Sequence, residues 1–247
     1  VVHHMKVVLN SELYIPFFLN NKATTEKPRG KIIFSHSEVS DKSLNSYIYI
    51  MDDDGSNMKN LTPNLNNSLY PSWSKNGQSI IFTSTVGKYE QIFQMDSNGL
   101  NIQQITNNEW DHFSPSWSFD GKKILYYASG DKMIDSEGRL IQQGFLMNSD
   151  GTQVSQISNN NDFVDFLSWL PSSGYISITT SESRYYTNTY ISNTFGKKIE
   201  QFPNIIIRGI PIWAPDSKRF LYTDLENQEN CLVNIMELGS SESKCLK

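Results

Sequence analysis

The residues of this chain that could do chemistry are few, and their spacing narrows what they can do. Of four histidines, His3 and His4 fall in the stretch before Met5, which reads as a tag remnant (residues 1–4). His36 and His112 remain, too few for a three-histidine metal site. There is no Gly-x-Ser-x-Gly elbow, and Gly239-Ser240-Ser241-Glu242-Ser243 reads as a turn and strand. Asp52-Asp53-Asp54-Gly55 begins like a calcium loop. Where that loop needs a bidentate Glu, however, the chain has Leu61, so a hairpin turn with positive φ at the glycine is expected. Two carboxylates flanking a sugar would suit glycoside chemistry, but the spacing marks no such pair. Cys231 and Cys245 flank the last turn and could bond in an oxidising compartment. The repeat described below favours Cys245 as a small core residue instead. These patterns predict no catalytic constellation, no metal and no cofactor.

Composition sets the frame for those residues. The chain has 247 residues, with 21 Lys plus Arg against 26 Asp plus Glu, a net charge of −5. An acidic chain of pI about 5.4 lacks the basic footprint of a nucleic-acid binder. With 19% charged and 12% aromatic residues, it does not have a disordered composition. The longest apolar run, Leu13–Leu19, is broken by Pro16 and falls short of the ~20 residues that cross a bilayer. No signal peptide is visible. Asn makes up about a tenth of the residues, and Asn, Ser, Gly and Asp favour turns. Short alternating strands between such turns point to an all-β protein.

The elements that must position the chemistry repeat. Pro71-Ser72-Trp73-Ser74 recurs as Pro115-Ser116-Trp117-Ser118, Leu167-Ser168-Trp169-Leu170 and Pro211-Ile212-Trp213-Ala214, at Trp spacings of 44, 52 and 44 residues. A turn and an apolar strand follow each Trp: Ile80–Phe82, Ile124–Tyr126, Ile176–Ile178 and Phe220–Tyr222. Ile32–Phe34 is a fifth copy of that strand. A third strand then leads to tight turns at Gly55, Gly99, Gly151, Gly196 and Gly239. Six residues further on stand Leu61, Ile105, Ile157, Phe202 and Cys245, which close a fourth strand. Four antiparallel strands cannot bury both faces alone, and radial stacking of such sheets solves this. The expected fold is therefore an all-β β-propeller of four-stranded blades, forming a single domain over residues 5–247. Each Trp should pack between neighbouring blades. The eight extra residues of the long unit predict a projecting, mobile loop over Gly130–Gln142.

The pattern Pro-Ser-Trp-Ser-x-x-Gly-Lys-x-Ile-x-Tyr, followed by Met147-Asn148-Ser149-Asp150-Gly151-Thr152 and a Gln-Ile-Ser strand, resembles the TolB-like β-propeller repeat over nearly the whole chain. The resemblance implies one of several roles: a periplasmic scaffold for partner proteins, a propeller cap on a prolyl-oligopeptidase-type hydrolase, or a propeller lyase for pectic sugars. It also implies a periplasmic or extracellular location, with the cytoplasm as the alternative. Five blades are expected, with Leu13–Leu19 supplying the inner strand missing from the first. Six blades, one of them degenerate, is the other possibility.

In such a fold, the residues before strand one and after strand two share the face around the channel mouth. Positions there that differ between repeats are free to serve function. His36, Tyr70, Asp111, His112, Asp165, Arg208 and Asp224 are therefore expected to cluster on one face. Asp165 and Arg208, from consecutive units, should pair. Acid, Arg, His and Tyr side chains suit a polar ligand or peptide terminus. The expected function is that of a non-enzymatic, monomeric scaffold binding a protein or a glycan. A carbohydrate-active lyase or hydrolase is the alternative.

Overall fold

The computed structural model describes residues 30–40, 43–134, 138, 140–159, 163–183, 186–202, 207–224, 233–240 and 242–246. Among these it contains 19 strands and no helix. The first sheet holds β1 (Lys31–Ser40), β2 (Ser43–Asp52) and β3 (Lys59–Asn60). The second holds β4 (Leu69–Trp73), β5 (Ser79–Val86), β6 (Tyr89–Asp96) and β7 (Gln103–Gln104). The third holds β8 (Asp111–Trp117), β9 (Lys123–Ile134), β10 (Leu140–Asn148) and β11 (Ser155–Gln156). The fourth holds β12 (Phe163–Trp169), β13 (Ile176–Ser183), β14 (Tyr186–Ser192) and β15 (Lys198–Phe202). The fifth holds β16 (Ile207–Trp213), β17 (Arg219–Asp224), β18 (Val233–Glu237) and β19 (Ser243–Leu246). Paired neighbours run antiparallel in sequence order, the arrangement the repeat demands. The candidate inner strand of the first sheet, Leu13–Leu19, lies outside the described residues.

The chain divides into two compact units, Val1–Pro115 and Ser116–Lys247. Each is built by packing sheet against sheet. In the first, Ile48 and Leu61 meet Ile80, Phe82, Phe93 and Met95 of the second sheet, with Trp73 against them. In the second, Trp213 lies 6.4 Å from Phe202 of the fourth sheet and 4.7 Å from Phe220 of the fifth. Trp169 donates its indole N–H to the carbonyl of Ser116, in the preceding sheet (3.3 Å). The repeated Trp thus fills the space between sheets, as its position after the inner strand predicts. Truncating such a side chain costs about 3–5 kcal/mol.

Two features recur across several of the sheets. The N–H groups of Ile48, Ile92 and Gly144 donate to the hydroxyls of Thr62, Thr106 and Ser158 at 2.8–2.9 Å. Beside them, Leu61, Ile105 and Ile157 donate N–H to the carbonyls of those same three residues. The hydroxyl takes the place of a strand carbonyl where the fourth strand ends, so these three buried N–H groups are met. Two of the turn glycines fit against the preceding sheet as well as closing their own hairpin. Gly99 has φ +86°, and a Cβ there would stand 3.0 Å from Leu61 Cδ2. At Gly196, φ is +75° and a Cβ would stand 3.0 Å from the Ile157 carbonyl oxygen.

Two expectations need correction. The extra residues of the long unit lengthen β9 and β10 into a ribbon instead of forming a loop over Gly130–Gln142. Ile134 pairs with Leu140 and Ser129 with Gln142, with an irregularity between them. Cross-strand pairing continues because the added sequence keeps strand-forming residues such as Met133, Ile134 and Leu140. The second correction concerns Cys245, which is disulfide-bonded instead of serving as a free core thiol. The only other cysteine in the sequence, Cys231, lies outside the described residues.

Candidate functional site

The inner strands do not run straight into the site. In β4, Leu69 pairs with Thr83 and Ser72 with Ile81, so one extra residue bulges between them. Tyr70 sits in that bulge at φ +54°. Ser114, at the same distance before its Trp, has φ +51°. A bulge re-aims side chains at a strand end, and a non-glycine residue with positive φ costs of order 1–3 kcal/mol. In β12 the extra residue is Asp165, between Val164↔Thr180 and Phe166↔Thr179. That bulge is braced from the third sheet: Tyr127 Oη accepts the Leu167 N–H (2.5 Å) and donates to the Asp165 carbonyl (3.5 Å). Gln142 Nε2 donates to the Val164 carbonyl (2.5 Å).

In the first unit Tyr70 and Asp111 gather around Glu90, with His112 next to Asp111 in β8. The Glu90 N–H donates to Asp111 Oδ1 at 2.9 Å. Burial, and secondarily the charge of Asp111, hold the Glu90 carboxyl above the ordinary carboxylate range. Burial and the Glu90 charge raise the Tyr70 phenol. Gln91 is buried and donates to the carbonyls of Asn108 (3.0 Å) and Trp110 (2.9 Å), fixing the turn that precedes Asp111. Asn108 Oδ1 in turn accepts from the Trp110 N–H (3.0 Å) and lies 2.8 Å from His112 Nε2. Because that oxygen can only accept, the hydrogen bond assigns the Nε2–H tautomer to His112. His112 is 1% exposed. Burial lowers its pKa from 6.5 to about 4, against the opposing charge of Asp111. It is therefore a neutral, structural histidine, whereas its sequence position suggested a ligand-binding residue on one face.

His36 packs edge-on against Tyr49, at 5.4 Å and 87°, and Tyr49 donates its hydroxyl to Glu38 (2.6 Å). In the second unit, burial raises the Asp165 carboxyl, opposed by a hydrogen bond from Ser181. Its Oδ2 is buried without a hydrogen-bond partner. The expected Asp165–Arg208 contact falls on a side chain, that of Arg208, outside the described residues. Arg208 pairs with Thr223 and Asp224 with Ile207 across β16–β17, so the two stand one residue apart at the same end of that hairpin. Their side chains lie outside the described residues. Among the described residues, no group of three or more His, Cys, Asp or Glu gathers in a way that could hold a metal ion. Among the described residues, no helix is long and apolar enough to cross a membrane.

Glu90, Gln91, Asn108 and Tyr127 are absent from the sequence-derived site. The signal for Glu90 was available. Antiparallel pairing brings the start of strand three to the same end as the close of strand two, and Glu90 stands there, opposite Thr85. Nothing in the local sequence marks Tyr127, whose role depends on contact with the next sheet. Chemically, the first-unit site offers a partly desolvated carboxyl group, a second carboxylate beside it and a phenol, a set that accepts hydrogen bonds or receives a cationic group.

Comparison with known proteins agrees with this architecture. The TolB beta propeller domain model matches residues 17–144, just over half of the chain. TolB from Acinetobacter baumannii superposes with a TM-score of 0.56 at 19% identity, over 82% of this chain and 49% of its own. Acylaminoacyl peptidase from Pyrococcus horikoshii gives 0.62 at 16% identity, over 89% of this chain and 37% of its own. A chain of a nidogen–laminin complex gives 0.60 at 11% identity, over 85% of this chain and 73% of its own. At such identities the likeness concerns fold alone, and this chain spans about half or less of the TolB and peptidase chains. No curated protein matches the sequence. Repeat, sheet order and family model agree: the chain belongs to the TolB beta propeller domain family.

Proposed function

We propose that residues 5–247 form one propeller domain acting as a non-enzymatic scaffold. It binds a protein partner, with a glycan as the other candidate ligand, through the strand ends that carry Tyr70, Glu90, Asp111, Asp165, Arg208 and Asp224. The carrying observation is the state of His112. The best-placed candidate base is buried, neutral and hydrogen-bonded to Asn108. A group with a pKa of about 4 is a weak base near neutral pH, where general bases work best with pKa values close to the working pH. The similarity to a chain of a nidogen–laminin complex supports protein binding as something this fold can do. The disulfide at Cys245 supports an oxidising, extracytoplasmic location.

A carbohydrate-active reading has one observation in its favour. Burial and the neighbouring Asp111 raise the Glu90 carboxyl above its ordinary range, the direction a general acid beside a second carboxylate needs. Affinity capture from the native cell, combined with a turnover panel of polysaccharides and peptides, separates the two. The scaffold reading expects a captured protein that is lost with Asp165→Ala plus Arg208→Ala while the fold is retained. Turnover abolished by Glu90→Gln would replace it with the enzymatic reading.

A further inference from the structure

One end of the first unit shows more apolar surface than its hairpins require. The β1–β2 hairpin carries the cross-strand pair Val39↔Leu44 near its tip, and the β5–β6 hairpin closes on Val86↔Tyr89. Val39 is 81% exposed, Leu44 60% and Val86 40%. Solvated hairpin tips are ordinarily polar, and charged or polar residues there guard against unwanted pairing. The two tips share one end of the unit. The Ser68 N–H donates to the Ser46 carbonyl (2.7 Å) and the Thr85 N–H to the Asn66 carbonyl (3.0 Å), linking the start of β2 to the end of β5. The bond from Glu90 N–H to Asp111 brings β8 to the same place.

Charge divides along the same axis. Among the described residues of this unit, Glu38, Glu90, Glu109 and Asp111 stand at this end against a single cation, Lys88. Lys31, Lys59 and Lys75 belong to the opposite strand ends. Lys88 Nζ lies 4.7 Å from the centre of the Tyr89 ring, so that aromatic face already attracts an ammonium group. Glu90 is half-buried and its N–H is bonded to Asp111 Oδ1, so an incoming cation there offsets the desolvation of Glu90 and its repulsion by Asp111.

We propose that this end of the first unit docks a basic segment of a partner protein. The segment's aliphatic side chains would cover the Val39–Leu44 and Val86–Tyr89 pairs, and its lysine or arginine side chains would reach Glu90 and Asp111. The proposal rests on the scaffold reading above and names the partner's chemistry. The probe is a short fluorescent peptide of alternating leucine and lysine, titrated into the full chain and followed by anisotropy. Leucine–glutamate and serine–lysine peptides serve as comparisons.

The leucine–lysine peptide should bind. Its affinity should fall about tenfold or more with Glu90→Gln plus Asp111→Asn, and more steeply at low salt. It should fall similarly with Val39→Ser plus Leu44→Ser, exposed changes whose effect on folding is read from the melting temperature. Three results overturn the proposal: equal binding of the leucine–glutamate peptide, equal binding by all variants, or no binding of any peptide. If a cellular partner is still captured in a manner dependent on Asp165 and Arg208, only the basic-partner assignment falls. If that capture fails too, the scaffold reading falls with it.

Discussion

Acidification should destabilise this protein through one residue, His112. Its folded pKa is lowered from 6.5 to about 4 by burial, so the unfolded chain takes up a proton at a pH where the folded chain does not. For a lowered folded pKa, the stability contribution is complete above pH 6.5 and is lost as pH falls toward 4. Within that window the slope is about 1.4 kcal/mol per pH unit. A shift from 6.5 to about 4 therefore corresponds to about 3 kcal/mol. That is a large share of a typical folding free energy of about 5–15 kcal/mol. The assay is urea unfolding at pH 7, 6, 5 and 4.5 on the wild type and on His112→Gln, which can still donate to Asn108 but does not titrate. Carboxylates shared by both proteins cancel in the difference. At pH 7 the wild type should be the more stable, because the glutamine packs less well. The gap should close by about 3 kcal/mol as pH approaches 4. Parallel pH profiles would refute the reasoning, since they would mean that His112 takes up its proton equally in both states.

Other consequences are as direct. Asp165→Asn should raise the melting temperature at neutral pH. The folded pKa of Asp165 is raised by burial, so its stabilising effect exists only at acid pH and is lost as pH rises through that value; the gain should vanish below about pH 4. Gly99→Ala should cost about 1–3 kcal/mol more than Gly55→Ala. Both glycines have φ above +80°, but only at Gly99 would the new Cβ meet Leu61, whereas at Gly55 nothing lies within 4 Å. Thr106→Val should cost about 1–3 kcal/mol in chemical unfolding by leaving the buried Ile92 N–H without its acceptor. Dithiothreitol should lower the melting temperature, as loss of a structural disulfide such as that at Cys245 typically removes about 2–4 kcal/mol. An unchanged melting temperature would show that the bond contributes little.

The strand repeat was legible from sequence because its causes are local. Alternation, turn glycines and the Trp after each inner strand are properties of segments a few residues long, and they recur in register. Packing of Trp213 between Phe202 and Phe220 follows from them. So does the need for glycine at positive φ in each turn. The resemblance to a known propeller repeat rests on the same periodic residues.

What only the tertiary structure decided lies where one sheet meets the next. A sequence repeat cannot show that Gly99 must also clear Leu61, because that clearance is set by a neighbouring sheet. The same holds for the hydroxyl of Tyr127 bracing the Asp165 bulge from about forty residues away in the chain. The bulges themselves were hidden, since Tyr70 and Ser114 are not residue types that announce positive φ. Histidine 112 illustrates the difference best. Residue type and position suggested a ligand-binding side chain exposed on one face, but solvent access and pKa depend on what folds over the ring. Burial and Asn108 turned His112 into a neutral strut, leaving Glu90, which the repeat comparison passed over, as the acid facing Asp111 and Tyr70. Charge and desolvation act through space over several ångströms, and the linear sequence does not encode those distances on its face.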